Sequence, residues 1–183
     1  TVRPLIKLWG FDDEFSTKRV PSQEEINQAL SYVDYRFINI DSENMKVSLL
    51  KEGVEIDLGA VAKGYAVDLI IQRIREVDPK ATGFIDAGGD IGIIGPKFKE
   101  LPWVIGIRDP FSDEYFTSID TIYLTNGGVA TSGNYERYFI SDGIKYHHII
   151  DPETGYPATG AVSVTVISEN VMIADVFSTA LFV

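Results

Sequence analysis

Apolar and polar positions along this chain repeat in two periods, and each change of period marks the edge of an element. Residues 4–15 follow neither period and read as a loop with a buried anchor at Leu8-Trp9. Pro21-Ser22 opens a helix: Ser22 can cap it, Glu25 closes a capping box, and Ile26, Ala29, Leu30 and Val33 form its apolar stripe. Strands are predicted at 35–40 and 46–50, joined by the polar turn Asp41-Ser42-Glu43-Asn44, with a third at 54–56 after the Glu52-Gly53 turn. Beyond them, Ala62, Tyr65, Ala66, Leu69, Ile70, Ile74 and Val77 recur at helical spacing, which predicts a helix buried along that face. Strands at 83–87 and 91–94 flank Gly88-Gly89-Asp90, and a turn follows at Gly95-Pro96. Strands at 103–108 and 118–124 enclose a loop at 109–115, and another strand is predicted at 162–168. The final segment reads as a helix capped by Asn170, with Val171, Ala174, Phe177 and Leu181 on its apolar side.

One stretch between these elements predicts its own register. Asp142-Gly143 suits a two-residue hairpin turn, because both positions tolerate positive φ. The flanks 135–141 and 144–151 are rich in aromatic and β-branched residues, as strands are. With a two-residue loop, Ser141 faces Ile144 and Arg137 lies opposite His148. Tyr135, Arg137, Phe139, Tyr146 and His148 then share one face, while Tyr138, Lys145 and His147 share the other. A guanidinium beside an imidazole can bind and work on an anionic substrate. The same pair also reads as an ordinary exposed cross-strand contact.

Composition narrows the classes. The 183 residues are 45% hydrophobic and 23% charged, which is globular rather than disordered. A formal net charge of −11 argues against nucleic acid or an anionic membrane as partner. There is no cysteine, so disulfides, thiol catalysis and thiolate-bound metals are excluded. No apolar run is long enough to cross a bilayer as a helix, and no leader pattern opens the printed residues. The opening Thr1-Val2-Arg3-Pro4 lacks an initiator methionine, and Leu181-Phe182-Val183 stops while still reading as helix, so flanking sequence is expected.

Three further patterns carry candidate chemistry. Gly59-Ala60 permits close backbone approach, and Lys63-Gly64 sets a cation beside the N–H groups of a helix start, a combination suited to phosphate. A solvated Lys63, with Gly64 serving only close packing, is the competing reading. Gly88-Gly89 lets a ligand meet main chain and Asp90 can bind a hydroxyl or amide, although a tight turn accounts for the same residues. Asp175 and Thr179 stand one helical turn apart and present a carboxylate and a hydroxyl, as a hard cation such as Mg²⁺ prefers. A simple Asp–Thr hydrogen bond is the alternative. No Walker lysine motif or GxGxxG is present. Together the patterns fit metal-assisted cleavage of a pyrophosphate or phosphoester.

The residues also carry a resemblance. DLGAVAKGYAVD (57–68), DAGGDIGIIG (86–95), ATSGNYERYF (130–139), HHIIDPETGYP (147–157) and SVTVISENVMIADVFSTALFV (163–183) are similar to successive signatures of the ApbE family, the FAD:protein FMN transferases. The opening TVRPLIKLWGF also resembles a family segment. Asn134 departs from the family's frequent Asp, and Asp86-Ala87 precedes GGD where other residues are common. The resemblance implies a single domain over 1–183, incomplete at both ends, whose absent N-terminal portion contributes flavin contacts in relatives. It implies Mg²⁺ held by Asp175, Thr179 and the main-chain carbonyl of Ala60. Lys63, Gly88, Gly89, Asp90, Ser132, Gly133 and Arg137 are implied at the FAD site, and His148 as general base, with Asp151, Thr154 and Gly155 shaping the turn that places it. His147 precedes that pattern and receives no role.

The implied reaction moves FMN from FAD to a threonine hydroxyl of an acceptor protein, with release of AMP. Subunits of membrane redox complexes are the acceptors the family implies, and the periplasm or outer face of the inner membrane is the implied location. A metal-dependent FAD pyrophosphatase and a non-catalytic flavin-binding protein remain as alternatives. The expected fold class is α+β, with mixed, largely antiparallel sheets and packed helices, and the resemblance adds a relation to the T-fold.

Overall fold

The computed structural model describes residues 1–112, 114 and 117–183. Along the chain, the described elements are α1 (Arg3–Leu8), α2 (Gln23–Leu30), β1 (Ile38–Asp41), β2 (Lys46–Leu49), α3 (Ala62–Val77), β3 (Gly83–Asp86) and β4 (Ile91–Gly95). They continue with β5 (Trp103–Arg108), β6 (Ser118–Leu124), β7 (Gly128–Gly133), β8 (Tyr138–Ser141), β9 (Ile144–His147), β10 (Ser163–Ser168) and α4 (Val171–Phe182). Each strand pairing among the described residues is antiparallel, as the α+β reading expects. The predicted loop at 109–115 lies partly outside the described residues. The chain divides into two units, one made of 1–57, 134–159 and 183, the other of 58–133 and 160–182.

The first unit is built on Trp9. Residues predicted as loop form the short helix α1 instead, because Pro4 suits a first helical turn and Leu5 and Trp9, four residues apart, share one face. Both are fully buried, in a core with Phe11, Ile26 and Ile150. The Trp9 rings lie 5.3 Å from Tyr146 and 5.6 Å from Tyr156, and the indole N–H donates to Gly155 O at 2.9 Å. The capping box of α2 forms as predicted: Glu25 N donates to Ser22 Oγ, and Ser22 N to the Glu25 carboxylate. Residues 35–37 are a 3-10 turn rather than the start of a strand, since Asp34 accepts from Arg36 N and caps them. Residues 54–56 form no strand either. Val54 is buried as a single anchor closing the turn from Lys51.

In the hairpin of β8 and β9, Asp142 and Gly143 take φ of 50° and 75°, and Ser141 pairs with Ile144 as the turn demands. The ladder is shorter than predicted. Residues 134–137 turn and bend, so Tyr135 belongs to no strand face. After the hairpin, Asp151 organises a tight loop: Glu153 N and Thr154 Oγ1 donate to its carboxylate, and Gly155 N donates to its carbonyl. Gly155 has φ of 75°, and a Cβ there would stand 2.5 Å from Ile26 Cγ2. His147 braces the same loop from beneath. It is 5% exposed, its Nε2 donates to Ala158 O at 3.0 Å, and its Nδ1 accepts from Ile149 N at 3.3 Å. Burial depresses its pKa, only partly offset by the bond to Ala158, and the Lys145 charge lowers it further.

The second unit centres on the sheet β10-β7-β4-β3. Strand β7, GVATSG, was not predicted, because small residues carry little strand propensity. Its smallness is structural. Gly128 pairs with Gly92 across β4, and a Cβ on either would stand within 2.7 Å of Val171 Cγ2. The glycine pair thus seats Val171 of α4, beside Val67 and Ile71 of α3. This corrects the predicted helix faces. Helix α3 buries Gly64, Val67 and Ile71, leaving Tyr65, Leu69, Ile70 and Val77 exposed. Helix α4 buries Val171, Ala174, Asp175, Ser178 and Phe182, with Phe177 and Leu181 exposed. In both, close approach through small or hydrogen-bonded residues outweighs the burial of the largest side chains.

Two outcomes follow from the first unit. Gly155→Ala combines a positive φ with an overlap on Ile26 and is expected to destabilise by roughly 1–3 kcal/mol, read as a lower Tm. For His147, the folded pKa lies below the unfolded value of about 6.5, so the unfolded chain takes up the proton first as pH falls. Stability from this group is complete above about 6.5 and declines below it. His147→Gln is therefore expected to flatten the fall of Tm between about pH 7 and 5; equal slopes would remove His147 as its cause.

Candidate functional site

In the second unit the predicted site residues meet where α3 begins and α4 passes. Three N–H groups at the α3 start are already engaged within the chain. Ala62 N donates to Leu58 O, Tyr65 N to Val61 O, and Gly64 N to Asp175 Oδ2 at 3.0 Å. Close packing accounts for Gly64, since a Cβ would stand 2.6 Å from Val171 O and 2.7 Å from Met172 Cα. Both are main-chain atoms that cannot move aside. Lys63 is not simply solvated: its Nζ lies 2.9 Å from Asp90 Oδ2, with half of its side chain exposed while the Asp90 side chain is almost wholly buried.

Asp90 and Asp175 are thus both buried carboxylates. Burial pushes the Asp90 pKa up; the nearby Lys63 ammonium counters it, and Asp175 raises it again through its own negative charge. Asp90 Oδ2 makes no hydrogen bond of good geometry, although the ion pair with Lys63 is short. Beside Asp175, Ser132 Oγ lies 2.9 Å from Ser178 Oγ and 3.0 Å from Thr179 Oγ1, and Ser178 Oγ donates to Asp175 O. The donors are all hard oxygens, and the negative charge exceeds what Lys63 supplies. That set fits Mg²⁺. Among the described residues no three His, Cys, Asp or Glu side chains group as a metal cage, so a cation would depend on hydroxyl and main-chain oxygens beside Asp175. Ala60 lies in the exposed turn just before α3, in a position to offer only its carbonyl or N–H.

Gly88 and Gly89 make the β3–β4 turn with φ of 69° and 96°, and Ala87 N donates to Asp90 O across it. A Cβ at either glycine would meet nothing within 4 Å. These glycines therefore serve backbone conformation and leave their outer side open, which suits contact between a ligand and main chain. Asp86 orders the turn by accepting from Gly89 N at 2.9 Å. Gly133 ends β7 opposite Ser163. Two residues here escaped sequence reasoning. Ser178 was legible only as one more polar residue in an apolar helix, and Asp86 only as a carboxylate three residues before Gly89.

The first unit holds His148 and Arg137. His148 N and Nδ1 both meet Arg137 O, at 3.1 and 3.2 Å. A carbonyl only accepts, so the neutral ring carries its proton on Nδ1 and its lone pair on Nε2. Arg137 thereby touches His148 through main chain, while its guanidinium donates to Phe11 O. Phe11 packs edge-on to the imidazole at 6.4 Å. The half-buried His148 is held by backbone on one side and an aromatic ring on the other.

Comparison with known proteins bears on the family and the fold. The profile of the ApbE family matches residues 1–183. The chain is similar to the crystal structure of an ApbE protein from Thermotoga maritima, at 54% identity and a TM-score of 0.93, covering 100% of this chain and 58% of that one. It is similar to the apo flavinyl transferase ApbE of Pseudomonas stutzeri, at 34% identity and a TM-score of 0.82, covering 99% and 55%. Among curated proteins, a FAD:protein FMN transferase of Klebsiella pneumoniae is 36% identical over 99% of this chain and 54% of its own length. The chain spans about half the length of the curated relatives it matches. On the profile match, these identities and the shared fold, the chain belongs to the ApbE family.

Proposed function

We propose that this chain forms part of a Mg²⁺-dependent FAD:protein FMN transferase, which moves FMN from FAD to a threonine hydroxyl of an acceptor protein and releases AMP. One observation supports it above others: two buried carboxylates lie together, Asp90 paired with Lys63 and Asp175 held by Gly64 N, beside the clustered hydroxyls of Ser132, Ser178 and Thr179. Such a site calls for added positive charge. Asp175, Thr179 and the Ala60 carbonyl would hold Mg²⁺, and the bound ion would supply electrostatic relief to a pyrophosphate. Lys63 adds a tethered cation for phosphate oxygens, and Gly88 and Gly89 offer open main chain to the flavin nucleotide.

His148 acts as the base. With Nδ1–H donated to Arg137 O, Nε2 takes the proton of the threonine hydroxyl. The oxygen bonds to the FMN-side phosphorus, the P–O bond to AMP breaks, and the proton leaves with imidazolium. A redox-complex subunit at the outer face of a bacterial inner membrane is the acceptor we infer.

The test incubates protein, FAD and Mg²⁺ with and without a threonine-bearing acceptor and measures AMP and covalent flavin. AMP appearing only with acceptor, matched by flavinylated threonine, is the expected result. AMP without acceptor would make the protein a pyrophosphatase, and neither product would make it a flavin binder. His148→Ala is expected to slow transfer about 10²–10⁴-fold while FAD still binds. Asp175→Ala is expected to abolish the Mg²⁺ response together with turnover, and a retained Mg²⁺ response would contradict the ligand assignment.

A further inference from the structure

The helix pair that carries Asp175 is locked by an exchange of carboxylates. Asp175, on α4, accepts from Gly64 N in the first turn of α3 at 3.0 Å. Asp68, one turn further along α3, accepts from Val171 N at 2.9 Å and Met172 N at 2.8 Å, the first two residues of α4. In each helix the donor stands four residues before the carboxylate: Gly64 before Asp68, and Val171 before Asp175. Each helix therefore caps the other with a group one turn past its own capped N–H.

The local cap of α4 leaves this role open. Asn170 Oδ1 accepts from Ile173 N and Asn170 O from Ala174 N, so Val171 N and Met172 N are the donors that need an acceptor from elsewhere. Asp68 supplies both of its oxygens to them. The contact is also confined sterically, because the Gly64 Cα faces Val171 O and Met172 Cα at a separation that admits no Cβ. Asp68 thus fixes the start of α4 along and around its axis. Asp175 and Thr179 follow one and two turns later on the same rigid helix.

We propose that Asp68 is a positioning residue for the cation site: by anchoring the first turn of α4 to α3, it holds the Asp175 carboxylate on Gly64 N and sets the place of the Thr179 hydroxyl. The role in catalysis rests on the function proposed above, whereas the positioning itself does not.

The experiment compares the full chain with Asp68→Ala and Asp68→Asn by residue-resolved amide hydrogen exchange and by Mg²⁺ titration. In Asp68→Ala, the Gly64 amide is expected to exchange about ten-fold faster relative to the amides of β7, although its acceptor Asp175 is untouched. Asp68→Asn keeps one acceptor oxygen, and its Gly64 amide is expected to fall between the two. The Mg²⁺ concentration for half-maximal turnover should rise about ten-fold in Asp68→Ala, with the rate at saturating Mg²⁺ changed far less, as for residues that orient metal ligands. Unchanged Gly64 protection in both variants would overturn the proposal, and so would a loss of saturating rate with unchanged Mg²⁺ dependence. If the parent chain shows no Mg²⁺ response, the proposed function fails, and Gly64 exchange still decides the role of Asp68.

Discussion

Two carboxylates removed from water, one held by an ammonium and the other by a main-chain N–H, set the terms for the second unit. A buried anion is tolerated only when hydrogen bonds or opposite charge replace its hydration. Asp175 takes the N–H of Gly64, which requires α3 and α4 to touch backbone to backbone. Asp90 takes Lys63, whose outer half stays in solvent. The close helix contact in turn needs Gly64 on one side, and the glycine pair Gly92 and Gly128 beneath Val171 on the other. Glycines far apart in sequence thus serve a single purpose, to let a charged side chain be held by main chain inside an apolar layer.

That dependence explains which parts of the fold were legible. Where a local rule decides, the chain could be read directly. The Ser22–Glu25 box and the Asp142-Gly143 turn each satisfy their own hydrogen bonds or dihedrals, and the turn then carried the register to Tyr138 and His147, with His148 N still meeting Arg137 O just past the ladder. Where tertiary contact decides, periodicity pointed the wrong way. It ranks Leu69, Ile70, Phe177 and Leu181 above Gly64 and Asp175, because it weighs side-chain hydrophobicity and cannot see backbone approach. Strand β7 was missed for the same reason, since a run of Gly, Ala, Ser and Thr has no intrinsic claim to the middle of a sheet. The resemblance implied roles for residues that physical reading alone left open, among them Asp175 and Thr179. It said nothing of Ser178 or Asp68, whose parts emerge only from contacts across the fold.

The adjacent histidines show how far one stretch can separate stability from chemistry. His147 and His148 point to opposite sides of a strand end, as alternation requires. His147 is buried, carries its proton on Nε2 toward Ala158 O and accepts from Ile149 N. Its neutral form is part of the packing. His148 carries its proton on Nδ1 toward Arg137 O, which leaves the lone pair on Nε2. The two rings are thus held in opposite tautomers by carbonyls to which each can only donate. Had the register slipped by one residue, the exposed ring would be the one preceding the DPETG loop by an extra position, and the buried one would lose Ala158. The Asp142-Gly143 turn, Trp9 on Gly155 O and the Asp151 loop together forbid that slip. The hairpin register is therefore what assigns His147 to the core and holds the half-buried His148 on Arg137 O.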